Sequence, residues 1–194
     1  LRGSRKISRI GQKKRETSNM ANFGSIIDWV LRLEDRTLAG KTEDLGDGAG
    51  LTRFGLTVRD EGAVVPPEYF TSMANEGALE VAKQVYYDRY WTPLQGTQIA
   101  SDELAATLLS FAVNDGTKTA VELLQRVLGM QVVDGNLGPW TLVAISDHNA
   151  EELTEQLRDA QEARYLKIEA ERPVDVKFDA GWRTRAYARY PDLP

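Results

Sequence analysis

Cysteine is absent from the 194 residues, and histidine occurs once, at His148. The first absence excludes disulfides, thiolate metal sites and a cysteine nucleophile. The second excludes a multi-histidine zinc site, and any Ser-His-Asp scheme would depend on His148. No run of about 18 apolar residues occurs, so no transmembrane helix is expected. The chemistry must fall to carboxylates, hydroxyls, amides or basic side chains. What remains is ordinary for a folded chain, 42% hydrophobic and 27% charged, which excludes collagen-like, low-complexity and wholly disordered classes. The length suits one domain with a substantial core.

Charge is unevenly distributed along the chain. In the first twenty residues, Arg2, Arg5, Lys6, Arg9, Lys13, Lys14 and Arg15 stand against Glu16, a net of +6. The whole chain carries -5, so residues 21–194 carry -11. A body this acidic is a poor phosphate binder, and no nucleic-acid partner is expected. Residues 1–19 lack a helical period and the apolar core of a secretory signal, and read as a dispensable basic tail. Residues 20–194 read as a single domain, because no linker rich in Pro, Gly or Ser interrupts them.

The period along that body is mostly helical. Ile27, Val30, Leu31, Glu34 and Leu38 share one face of a first helix, with Ser25 as its cap. Gly40, Gly46, Gly48 and Gly50 mark a loop, and Thr52–Thr57 alternates as one short hairpin. Pro66-Pro67 suits a helix start. Further helices are expected from about Gly77 to Tyr90, from Ser101 to the Asn114-Asp115-Gly116 break, from a Thr117 cap to Gly129, from Pro139 through Ile145, and from Asn149 to about Arg172. Trp182 is expected to fasten the final segment. The fold class is mainly α, a helical bundle with one small β-hairpin.

Glu34 stands out because a carboxylate occupies an apolar stripe. Partial burial raises a carboxyl pKa, which suits a general acid; pairing with a nearby arginine is the structural alternative. Asp47, between two glycines, and Thr52 follow in a polar loop, and the three fit glycoside hydrolysis. Asp134-Gly135-Asn136 lacks the further ligands of a calcium loop, so no metal and no cofactor is expected.

The order of these motifs resembles the glycoside hydrolase 108 family, the N-acetylmuramidases of phages and bacteria. The stretch Asp47-Gly48-Ala49-Gly50-Leu51-Thr52-Arg53-Phe54-Gly55-Leu56-Thr57 is similar to the family's active-site loop, with Arg53 and Phe54 replacing Asn and Trp. Glu34 is similar to its catalytic Glu, here followed by Asp35-Arg36 instead of Gly-Gly and by a longer loop. Val85–Trp91 and Phe111–Gly116 resemble two further family segments. Leu123–Gly129, Asp134–Thr141 and Gly181–Arg185 resemble the peptidoglycan-binding-like region that follows. The resemblance implies a lysozyme-like fold with the hairpin beside the active-site cleft. Residues 20–116 would be its catalytic part, with 117–194 packed on them.

The resemblance also implies a lysozyme-type enzyme acting on bacterial peptidoglycan. Glu34 would be the general acid, Asp47 the base and Thr52 the holder of the water, with inversion at the anomeric centre. Tyr90, Trp91 and Asn114 are candidate substrate contacts, the aromatics by stacking on sugar faces. A monomer is expected, acting on the wall after release by a holin, a virion or another route. The alternative is a non-catalytic wall-binding or structural module on the same fold.

Overall fold

Asn22 opens the first helix, α1 (Phe23–Glu34), its side-chain oxygen accepting from the Ser25 N–H at 3.4 Å. The expected cap, Ser25, is the third helical residue instead, and its hydroxyl donates back to the Asn22 carbonyl at 3.1 Å. Ile26, Ile27, Trp29, Val30 and Leu31 are buried, as the apolar period requires. The helix stops at Glu34, so Leu38 lies in the following loop, with a left-handed φ of 50°. The computed structural model describes residues 20–46, 48–171 and 186–192.

Three short strands follow, β1 (Glu43–Asp44), β2 (Leu51–Arg53) and β3 (Leu56–Thr57), antiparallel and in that order. β2 and β3 are the expected hairpin. Phe54 and Gly55 turn it with φ of 49° and 75°, the two left-handed residues a tight hairpin turn requires. β1 enlarges the expected hairpin to a sheet, pairing Glu43 with Thr52 and Asp44 with Leu51. A one-turn helix, α2 (Val58–Glu61), leaves β3 directly. Pro66-Pro67 starts no helix. The N–H groups of Thr71, Ser72 and Met73 converge on the Glu68 carbonyl, which closes a turn where a helix would have continued its ladder.

The remaining helices are α3 (Asn75–Tyr86), α4 (Asp102–Asp115), α5 (Thr117–Val127), α6 (Pro139–Ser146) and α7 (Ala150–Glu171). α3 runs on through a π-helical turn, Tyr87–Trp91. Ser101 caps α4, accepting from the Leu104 N–H at 3.2 Å, and Asn149 accepts from the Glu152 N–H at 3.0 Å at the head of α7. Gly116, at φ 87°, takes the cap position expected of Thr117. It can do so because glycine enters that backbone region without steric cost.

α4 is the centre of the core: every residue from Leu104 to Ala112 is buried. It packs against α1, α5 and α7. Arg158 of α7, 4% exposed, crosses to α4 and donates to Glu103 at 2.9 Å and Thr107 at 3.2 Å. Residues 186–192 lie against this body, with Ala186 and Ala188 buried. Trp29 donates its indole N–H to the Asp192 carbonyl at 2.8 Å and meets the Tyr190 ring edge to face at 5.9 Å. Trp182, expected as the fastening residue, lies outside the described residues, as does the tail 1–19. Among the described residues, no helix is long and apolar enough to cross a membrane.

Candidate active site

A cleft of about 370 Å³ opens where α1 ends, bounded by Glu34, the loop after it, and Glu43, Thr52 and Gly55 of the sheet. Glu34, half-buried, is the last residue of α1, so the helix itself fixes its position. Behind it the β2–β3 turn packs closely. A Cβ on Gly55 would come within 3.2 Å of Glu34 Cγ and 2.4 Å of the Tyr86 hydroxyl oxygen. Tyr86 donates that hydroxyl to the Phe54 carbonyl at 3.1 Å. Burial first, and then the nearby Glu34 charge, push the Tyr86 phenol well above its usual pKa. It therefore stays a neutral donor behind the acid.

The loop after α1 is held by the residue that replaces the family's first glycine. Asp35 accepts from the Thr37 N–H at 3.2 Å, the Thr37 hydroxyl at 3.0 Å and the Gly40 N–H at 2.7 Å. Desolvation works to raise the Asp35 pKa, but these hydrogen bonds outweigh it and hold the carboxyl below its usual value. Gly40, at φ 58°, has no room for a side chain, since a Cβ would meet Asn75 and the Phe54 ring. Its carbonyl accepts from Arg53 Nε at 2.9 Å, and Arg53 Nη1 also reaches the carbonyls of Tyr69 at 2.7 Å and Met73 at 3.0 Å. Arg53, 7% exposed, thus ties the cleft loop to the turn at 66–73. A guanidinium suits this because its donors fan out in a fixed plane.

Thr52 lines the cleft from β2, with Glu43 opposite it on β1 and Thr57 opposite it on β3. Thr57 caps α2, its hydroxyl oxygen accepting from the Asp60 N–H at 3.2 Å. Glu61, 4% exposed, accepts from the Thr57 N–H at 2.7 Å and pairs with Arg89. Arg53, Glu61 and Glu43 carry no local pattern that marks them. Their roles depend on strand register and on contacts distant in sequence.

Glu34 and Thr52, both expected at the site, line one cleft. Asp47 lies outside the described residues. Tyr90 is half-buried, its ring 5.6 Å from Tyr86, and is not among the residues lining the cleft. Trp91 is 1% exposed and packs against Gly96 and Phe23, so its ring has no free face for a sugar. Asn114 donates to the Tyr165 hydroxyl at 2.7 Å, and that hydroxyl donates to Asp115 at 2.7 Å. Asn114 therefore joins α4 to α7 and takes no part in lining the cleft. Gln125 plays a similar structural part at the 134–141 turn, accepting from the N–H groups of Asp134 at 3.0 Å and Gly135 at 2.9 Å and donating to Asp134 Oδ1 at 2.8 Å.

Comparison with known proteins finds two family models along the chain. Residues 27–116 match the model described as Glycosyl hydrolase 108, and residues 119–187 match the one described as Predicted Peptidoglycan domain. Among solved structures, SagA of Brucella abortus is similar at 25% identity and a TM-score of 0.61, over 88% of this chain and 96% of that one. No curated protein matches the chain. A glycosidase segment followed by a peptidoglycan domain makes the chain a glycoside hydrolase acting on peptidoglycan, and residues 27–116 are what make it similar to the glycosyl hydrolase 108 family.

Proposed function

We propose that the chain is a lysozyme-type N-acetylmuramidase, cutting the β-1,4 bond from N-acetylmuramic acid to N-acetylglucosamine in the wall outside the cytoplasm. The observation that carries this reading is Glu34 and Thr52 lining one cleft at the end of α1. A carboxyl fixed by a helix end can deliver its proton to the glycosidic oxygen. Thr52, with Asp47 from the adjoining loop, holds the water and offsets the positive charge that grows on the sugar ring. The water attacks the face away from the departing sugar, which inverts the anomeric centre. The Thr52 hydroxyl in the cleft supports this course, since it can orient a water and has no necessary part in forming a glycosyl-enzyme ester.

Mass spectrometry of digested, purified peptidoglycan tests the reading. Fragments should end in reducing N-acetylmuramic acid, and proton NMR of fresh product should show the α-anomer first. Glu34→Gln should fold normally and lose about 10²–10⁴-fold in rate, the usual contribution of general acid catalysis. Near wild-type turnover in that variant removes Glu34 from the role, and an initial β-anomer removes inversion.

A further inference from the structure

The strand that the sequence did not reveal brings a further acidic side chain to the cleft. Glu43 stands directly across from Thr52 in the β1–β2 pair and lines the same cleft as Glu34. Residues opposed in an antiparallel pair project from the same face of the sheet, with Cβ atoms roughly 4.5–5.5 Å apart. The third residue of that row, Thr57, is occupied in capping α2. The carboxylates among the described lining residues are those of Glu34, Asp35 and Glu43. Both oxygens of Asp35 are already engaged by Thr37 and Gly40. Asp44, the neighbour of Glu43, faces the other side of the strand by the two-residue period and accepts from the Gly46 N–H at 2.9 Å.

We propose that Glu43 is the base of the hydrolysis, a further catalytic residue that takes its proton from the water held by Thr52. This rests on the muramidase reading above. In the step, the water oxygen bonds to the anomeric carbon as one of its protons passes to Glu43. The bond from that carbon to the leaving oxygen breaks, its electron pair stays on the oxygen, and Glu34 supplies the proton found there. One water is consumed. Glu34 ends as a carboxylate and Glu43 as an acid, and exchange with solvent restores both. Glu43 is exposed, so that exchange and the entry of water meet no barrier.

The test compares wild type, Glu34→Gln, Glu43→Gln, Glu43→Ala and Asp47→Ala on purified peptidoglycan, with and without sodium azide. Glu43→Gln should lose about 10²–10⁴-fold in kcat, the range for general base catalysis, with little change in KM. Azide needs no base to attack, so it should restore turnover to Glu43→Ala and yield an α-glycosyl azide. Activity close to wild type in Glu43→Gln overturns the assignment. So does an azide rescue seen with Asp47→Ala and not with Glu43→Ala. A loss that azide does not repair, together with a lowered thermal midpoint, makes Glu43 a structural residue and also overturns it. A wild-type protein that cuts no glycosidic bond overturns the muramidase reading itself. Glu34→Gln inactive beside a fully active Glu43→Gln removes the base alone.

Discussion

Tyr86 and Gly55 sit so close that a single added methyl on the glycine would lie 2.4 Å from the tyrosine hydroxyl oxygen. That contact sets the depth at which the β2–β3 turn seats against the stem of Glu34. Gly55→Ala must both adopt a φ of 75° and push the phenol away from the Phe54 carbonyl. Overpacking of this kind typically costs about 1–3 kcal/mol. Urea unfolding should show a loss in that range, and activity per folded molecule should fall as well, because the turn moves against the acid. An unchanged midpoint with full activity would mean that the turn is not what positions Glu34.

Arg53 offers a sharper stability test. Arg53→Met keeps much of the stem volume but leaves the carbonyls of Gly40, Tyr69 and Met73 without this donor. Stranding a buried polar group costs about 1–3 kcal/mol, so the variant should lose at least about 2 kcal/mol in chemical denaturation. Arg53→Lys should recover only part, since an ammonium holds its three donors on one nitrogen and cannot reach from both the Nε and the Nη1 positions. Equal stability of the arginine and lysine forms would show that charge alone, and not the fork, matters there.

Acid should loosen the cleft loop through Asp35. Its carboxyl is held below the usual 3.8 by the hydrogen bonds from Gly40, Thr37 and Ala39, which outweigh desolvation. A folded-state pKa below the unfolded one means that the stabilisation is fully present above about pH 4 and is lost as pH falls through the folded value. Asp35→Asn removes that titration. The difference in thermal midpoint between pH 7 and pH 3 should therefore be smaller in Asp35→Asn than in wild type. Identical pH curves for the two proteins would remove Asp35 as the source.

The final segment can be probed through its partner on α1. Trp29→Phe deletes the N–H that reaches the Asp192 carbonyl while keeping an aromatic ring for Tyr190. A typical protein hydrogen bond contributes about 0.5–1.5 kcal/mol, and the variant should lose about that much. Proteolysis should then cut after residue 185 sooner than in wild type. Unaltered cleavage would place the hold on the segment elsewhere.

Much of the helical frame could be read from the sequence, because the apolar period of α1 and the Ser101 and Asn149 caps are local signals. Ser25 misled because Asn22, three residues earlier, has the same capping chemistry. β1 was hidden because Glu43 and Asp44 are both exposed and acidic, with nothing in their own chemistry that favours a strand; it forms because Leu51 and Thr52 offer a free edge. Glu34 drew attention in the sequence as a charge on an apolar stripe, and the fold places it in the cleft. Trp91 was misplaced because a ring that fills a core and a ring that stacks on a sugar look alike in sequence. Arg53 was read only as a departure from the family's asparagine, since its three acceptors come from loops 13 to 20 residues away.

The joint between α4 and α7 has a consequence for how the wall is met. Asn114, Asp115 and Tyr165 lock the end of α4 to α7, and Arg158 adds a second tie. A binding module on a flexible tether gains avidity by searching a volume around its partner. Here the helices of the peptidoglycan domain are bolted to the helix that floors the hydrolase segment, so they have no reach of their own. A glycan strand held by them would reach the cleft in a fixed geometry. The enzyme would then behave as a gauge, cutting at a fixed offset from where it holds, and its product lengths would record that offset.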